Sequence, residues 1–411
     1  MLLQRINSTK ASAALIVLAF VFFLASGATG GNRAEAQEET TTSSGGQAVS
    51  GAPKPNAEAW ALVDADSGLY LAGNNPDERL PMASTANILT ALVVLEEGAD
   101  PEEEVTVSRQ AESYTGSTYS NVGLVAGDRL TVRDLLTAAL VASGTDAVYA
   151  LAEHLGVDGS VDNFVEKMNA KASSMGLEDT HFSDPAGLDA SGNYSSARDL
   201  AAVARAALKY PLFAEIVRTR DATIGTQNRQ IEIHNTNQLL STYPKATGVK
   251  TGSLPEVGAN LVASATGGNG SYVAIVLGDK DSEGRFRDAQ AILEYGFAHY
   301  EHRTFVSRGE EYGEVTPPYR WGDSVGLVAT QDIAGPAENG SEPERRVRMK
   351  ELPPRAEASQ ELGEVEVLIG GQSVGRSPLV IREGYEEASP WDKARYAVEW
   401  LARRAWASFS G

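Results

Sequence analysis

Two β-rich stretches bracket a long helical block, and that order restricts the fold more than any other feature of this sequence. At the front, Glu58 to Val63 reads as a strand that turns at Asp66-Ser67-Gly68, with Gly68 to Ala72 as its hairpin partner. At the back, Ala259 to Thr266 and Ser271 to Gly278 are joined by Gly267-Gly268-Asn269-Gly270, a hairpin signal. Between them apolar residues recur at helical spacing: from Ser84 to Gly98, twice within Leu130 to Leu155, from Phe164 to Met175 and from Ala197 to Leu208. A last helix, Arg287 to Tyr300, follows the back strands. The expected fold is α/β in the α+β sense: one antiparallel sheet, built from both ends of the segment, with a helical cluster packed on it.

The texture changes after His302. Short apolar runs (SVGLVAT, EVEVLI, SPLVIR) alternate with Gly and Pro turns, which predicts a small all-β domain over residues 303–388. Residues 389–411 form an amphipathic tail helix, with Trp391, Val398, Leu401, Ala405 and Phe409 on one face and Asp392, Arg395, Glu399 and Arg403 on the other. Such a helix suits a membrane surface, and equally suits docking on the protein's own body.

At the other end, Arg5 and Lys10 precede an apolar run, and Ala34-Glu35-Ala36 offers a small-residue cleavage site. Residues 1–36 read as an export signal, or as an uncleaved N-terminal anchor that would also touch the membrane. Residues 37–56 are too polar to bury a core and read as a linker, which leaves 57–302 as the main domain.

Cysteine is absent, so disulfides, thiolate metal sites and cysteine nucleophiles are excluded. A net charge of -20 disfavours nucleic acid as a partner. The five histidines are scattered. Only His299 and His302 are spaced to share a helical face, and no carboxylate set completes a metal site around them. Asp184 and Asp189 read as turn and cap residues, and Glu102 to Glu104 as a solvated charge run.

Three short motifs carry chemistry in combination. Ser84-Thr85-Ala86-Asn87 opens the first helix, Ser143-Gly144-Thr145 sits between two helices, and Lys250-Thr251-Gly252 precedes the back strands. Each alone is explained without chemistry: Ser84 as a helix N-cap, the second motif as an interhelical turn, the third as chance. Their order on these elements fits a serine nucleophile, a hydroxyl that passes protons, and a strand that binds a carboxylate.

With GLEDTHFSDPAGLDASGNYSSARDLA and GVKTGSLPEVGANLVASA added, residues 57–302 resemble the D-alanyl-D-alanine carboxypeptidases of the S11 serine peptidase family, the low-molecular-mass penicillin-binding proteins. The later β domain and tail resemble that family's C-terminal domain and membrane-anchoring helix. The resemblance implies the penicillin-binding-protein/β-lactamase-like transpeptidase fold, a location in the bacterial cell envelope, and no metal or organic cofactor. It implies peptidoglycan stem peptides as substrate, cleaved through an acyl-serine, and β-lactams as further ligands. Matched position by position, Ser84 is the nucleophile and Asn87 stands at the general-base position. Ser143 is the proton relay and Thr145 holds the place of a substrate-binding asparagine. Lys250 and Thr251 bind the terminal carboxylate, and Gly252 lets the substrate approach.

Two of these positions depart from the family's Ser-x-x-Lys and Ser-x-Asn patterns. Asn87 cannot take a proton near neutrality. General-base help is worth about 10² to 10⁴ in rate, so the expectation is a carboxypeptidase-like chain with weakened or absent hydrolysis. Its other form is a pseudoenzyme that binds stem peptides. Lys250, acting through Ser143, is the only family-placed substitute base. It ranks lower because a neutral Lys250 gives up the charge for the carboxylate. A β-lactamase fits the two-domain build less well, and a non-enzymatic envelope scaffold would take no penicillin.

Overall fold

The computed structural model describes residues 51–409, apart from residues 117, 269, 339 and 340. The expected export segment and residues 37–50 of the expected linker lie outside the described residues. The central sheet has five antiparallel strands: β1 (Ala59–Asp64), β2 (Tyr70–Asn74), β3 (Ala246–Leu254), β4 (Gly258–Gly267) and β5 (Gly270–Asp279). Their order across the sheet is β2-β1-β5-β4-β3, so the front strand pair joins the back three, as the sequence predicts.

The helical block covers one face. Its main members are α1 (Asn87–Glu96), α2 (Val132–Val141), α3 (Thr145–Leu155), α4 (Val161–Ser174), α5 (Ala197–Leu208) and α6 (Pro211–Arg218). Buried Leu89, Leu92, Leu136 and Phe164 pack there with Val63, Val262, Val273 and Ile275 of the strands. The opposite face carries Leu62, Leu261, Ala274 and Val276 against Ile292 and Leu293 of α7 (Gly284–His299). Both faces of the sheet are therefore dry, which is why its central strands read as continuous apolar runs.

An all-β domain follows. Its strands are β6 (Tyr300–Val306), β7 (Glu311–Val315), β8 (Val325–Ala329), β9 (Ile333–Glu338), β10 (Glu344–Met349), β11 (Glu361–Ile369) and β12 (Gln372–Ile381). They form a pair, β6-β9, and a five-stranded sheet, β7-β8-β12-β11-β10, around Val306, Leu327, Val365, Val367, Leu379 and Ile381.

His302 lies on β6 while His299 ends α7, so the two share no helical face. The chain leaves its helix at Tyr300. His302 instead pairs with the fully buried Asp64 at the end of β1. Burial pushes the Asp64 carboxyl up, but hydrogen bonds from His302 and Ser67 outweigh it and hold it below the usual range. The same bond raises the His302 pKa. This pair fastens the β domain's first strand to the central sheet.

The tail helix α8 (Pro390–Phe409) touches the β domain by one side: Tyr396 stacks on Trp321 at 5.0 Å and Arg403 lies over the same ring. Trp391, Val398 and Leu401 remain 79%, 67% and 54% exposed. The helix is docked and still presents an apolar side to solvent. Among the described residues, no helix is long and apolar enough to cross a membrane.

Candidate active site

Ser84 sits in a short 3-10 segment, Ala83–Ala86, that leads directly into α1. It caps neither helix: the residues before the two segments are Met82 and Ala86, and no side chain caps either start. The N-cap explanation of this serine is therefore overturned. The chain enters the turn through Ala83 at φ +50, an uncommon conformation for a residue with a side chain. Packing from behind holds it there. Gly187 comes so close that a Cβ would meet the Ala83 carbonyl at 2.0 Å, and the Thr90 hydroxyl donates to the Pro185 carbonyl at 2.6 Å. The SDPAGLD stretch is thus a buttress for the serine turn, with Asp184 closing its loop by accepting from the Ala186, Leu188 and Asp189 N–H groups. Ser84 itself is half-buried, and its hydroxyl has no hydrogen-bond partner among the described residues.

Residues three apart eclipse each other on a 3-10 turn, so Asn87 follows beneath Ser84. Asn87 is 2% exposed. Its Nδ2 donates to the Ala139 carbonyl of α2 at 3.1 Å, and its buried Oδ1 has no hydrogen-bond partner among the described residues.

Strand β3 runs beside this turn. A Cβ on Gly252 would meet Met82 O at 2.9 Å and the Ser84 and Thr85 nitrogens at 3.1 Å, all of them backbone. Asn260 of β4 pins the approach from the other side, donating to the Pro81 carbonyl at 2.9 Å. Gly252→Ala is expected to move the serine turn and lower any acylation of Ser84 at least about tenfold. Overpacking of this kind costs roughly 1–3 kcal/mol. A titration with β-lactam beside a thermal melt checks both effects.

Two residues before Gly252, Lys250 is 1% exposed. Its Nζ donates to Ser143 Oγ and to the Thr251 carbonyl, both at 2.8 Å. Burial, and secondarily the positive charge of Arg285, lower its pKa to about 7. Ser143 stands between α2 and α3 at φ +58, a strained setting that aims its hydroxyl at the lysine. Thr145 opens α3, buried, with its backbone N–H on the Ser120 carbonyl. The next residue, Asp146, is fully buried and accepts from the N–H groups of Val122, Leu124 and Ala147. Thr251 shares a hydroxyl contact of 2.6 Å with Thr236.

The fold therefore sets Ser143 and the turn of Ser84 and Asn87 against Lys250, Thr251 and Gly252 of β3, with Thr145 at the start of the helix that follows Ser143. Sequence reading missed two neighbours. Thr236 follows a hairpin, Asp221–Gly225 with Gln230–His234, that was not foreseen. Arg285 lies in the first turn of α7 and donates to the Gly252 carbonyl at 3.1 Å and the Asn260 carbonyl at 3.4 Å. A cation in a first turn opposes the helix dipole, and that local misfit was the available signal. Among the described residues, no group of three or more His, Asp or Glu is placed to hold a metal ion.

A sheet flanked by helices on both faces, a serine at a helix start, and a Lys-Thr-Gly strand beside it define the penicillin-binding-protein/β-lactamase-like transpeptidase fold. The family model described as D-alanyl-D-alanine carboxypeptidase matches residues 46–281, more than half of the chain. That of the penicillin-binding protein 5 C-terminal domain matches residues 300–387. The chain belongs to the D-alanyl-D-alanine carboxypeptidase family.

It is 31% identical to the D-alanyl-D-alanine carboxypeptidase DacF of Bacillus subtilis, over 81% of this chain and 86% of that protein. It is 34% identical to DacC of Escherichia coli, over 82% and 86% respectively. The crystal structure of penicillin-binding protein 5 from Haemophilus influenzae superposes with a TM-score of 0.69 at 32% identity, covering 82% of this chain and 99% of that one. The Streptomyces K15 DD-transpeptidase superposes at 0.57 with 36% identity, covering 60% and 99%.

Proposed function

We propose that this chain is a serine-type D-Ala-D-Ala carboxypeptidase of peptidoglycan metabolism, working outside the cytoplasmic membrane and slowed at proton transfer. Ser84 attacks the carbonyl of the terminal D-Ala-D-Ala bond of a stem peptide. The terminal D-alanine leaves as its amine, and water then releases the acyl group from Ser84. The observation that carries the reading is the close approach of Gly252 to the serine turn, where a Cβ would meet the Ser84 nitrogen at 3.1 Å. A stem peptide laid along β3 brings its last amide to Ser84 and its terminal carboxylate to the cationic end of the strand. Backbone N–H groups hold the oxyanion. The slowing follows from Asn87, a neutral amide where the family pattern has a lysine.

A second reading, a protein that binds stem peptides and has given up hydrolysis, is favoured by the same neutral, deeply buried Asn87. Intact mass after incubation with benzylpenicillin separates the two. The expected result is one penicilloyl adduct on the natural chain and none on Ser84→Ala. Saturable binding without an adduct would favour the binding protein. An adduct that survives in Ser84→Ala would remove Ser84 from the chemistry.

A further inference from the structure

We propose that this chain binds a small hydroxylated anion, of the class of sugar acids and sugar phosphates, in a cavity lined by Arg205, Lys209, Arg218, Thr247 and Ser264. The proposal goes beyond the carboxypeptidase reading and does not rest on acyl transfer at Ser84.

The cavity, of about 510 Å³, opens where the ends of β1 and β4 and the starts of β3 and β5 meet α5, α6 and the link between them. That volume falls within the range of small-molecule sites. Thr247 precedes Gly252 by five residues along β3, so roughly 15 Å of strand separates the cavity from the serine turn.

Three cations converge on this space without counter-ions. Among the described residues, Arg205, Lys209 and Arg218 have no carboxylate within ion-pair distance. Arg205 directs two nitrogens at neutral carbonyls, Nε at Ala65 O at 2.9 Å and Nη2 at Asp66 O at 2.8 Å. Burial lowers its pKa, and the charges of Asp64 and Asp66 only partly offset that. An anion beside the guanidinium relieves this cost. Two carboxylates share the wall, Asp66 and Glu215. Glu215 is already paired with Arg133, which leaves Asp66 against three cations.

The strand side of the cavity is hydroxylated. Thr247 and Ser264 share a contact of 2.8 Å, and Thr266 and Ser271 one of 3.0 Å. All four line the cavity. In each pair one hydroxyl donates to the other, so one O–H and unused lone pairs remain for a ligand. Leu208, Ala214 and Ala265 add an apolar side for the C–H face of a sugar ring.

The dipoles of α5 and α6 account for a cation at each helix end. They do not account for a hydroxyl-lined cavity between those ends. The guanidinium and ammonium groups suit an oxyanion, and the hydroxyl pairs suit ring hydroxyls. A bare anion leaves the hydroxyls unused, and a neutral sugar leaves the cations unused.

Isothermal titration calorimetry of the purified full chain tests this with four probes: glucuronate, glucose 6-phosphate, glucose and inorganic phosphate. At least one of the two anionic sugars is expected to bind with a Kd of about 1 mM or tighter. Which of them binds tells carboxylate from phosphate. Glucose and inorganic phosphate should bind at least about tenfold more weakly. The double variant Lys209→Gln/Arg218→Gln should weaken the anionic sugar at least about tenfold. It should melt like the natural chain, since neither side chain makes a hydrogen bond among the described residues. Should it melt early, the natural chain decides by its salt response: affinity must fall between about 0.05 M and about 0.5 M sodium chloride. Ser84→Ala should bind as the natural chain does.

Binding of neither anionic sugar would overturn the proposal, as would glucose or inorganic phosphate binding as tightly as they do. A normally folded double variant with unchanged affinity would also overturn it, and so would an affinity indifferent to salt. Binding that is lost in Ser84→Ala, or displaced by benzylpenicillin, would place the ligand in the cleft at Ser84 instead. A chain that binds the anionic sugar and never takes penicillin keeps this site, while the acyl-transfer reading falls.

Discussion

Asn87→Lys is expected to be acylated by benzylpenicillin at least about 10² times faster than the natural chain, and to melt at a lower temperature. The rate gain follows from position. Asn87 follows Ser84 by three residues on the serine turn, and its buried Oδ1 has no hydrogen-bond partner among the described residues. A lysine there can take the serine proton directly, which a neutral amide cannot do. General-base help is worth about 10² to 10⁴. Lys250 and Arg285 nearby keep a new amine from holding its proton tightly, since like charges lower its pKa. The stability loss has the same origin: a further cation enters a buried region that already holds Lys250 and Arg285. A cost of roughly 1–3 kcal/mol is expected. Stopped-flow acylation and a calorimetric melt on the same sample check the pair. An unchanged rate with a normal fold would mean that residue 87 does not face the serine hydroxyl.

The largest stability effect is expected at Asp146. This carboxylate is wholly buried and accepts from Val122, Leu124 and Ala147 backbone N–H groups and from the Thr115 hydroxyl. Removing it leaves several buried donors without an acceptor, each costing about 1–3 kcal/mol if water cannot reach it. Asp146→Ala should lose about 3–5 kcal/mol, the range for breaking a buried charged network. It should also free Val122 and Leu124, whose N–H groups Asp146 holds at the start of α3. Denaturant unfolding measures the first effect, and hydrogen exchange at Val122 and Leu124 the second. A loss below 1 kcal/mol would mean that water replaces the carboxylate.

The sheet was legible from sequence because its strands carry long apolar runs ended by glycine turns, as in Ala259 to Gly278. The first helix was legible from its periodicity, but not the 3-10 turn that begins it. That turn is set by Gly187 and Gly252 pressing on it from distant parts of the chain, which no local pattern reports. The motif residues were found because they lie at recognisable spacings. Arg285 was not, since its role comes from the way α7 crosses the end of β3. The buried state of Lys250 was likewise hidden. A Lys-Thr-Gly tripeptide reads as a surface charge until the helices above it are in place.

Ser84 is held by Gly187 and Gly252, both of which lie far downstream in the chain. A polypeptide made from its N-terminus forward exposes the serine long before either glycine exists. Until the last strands arrive, the turn has no wall behind it. Any acyl transfer at Ser84 therefore waits for completion of the fold, and a chain cut short before Gly252 is expected to be chemically silent.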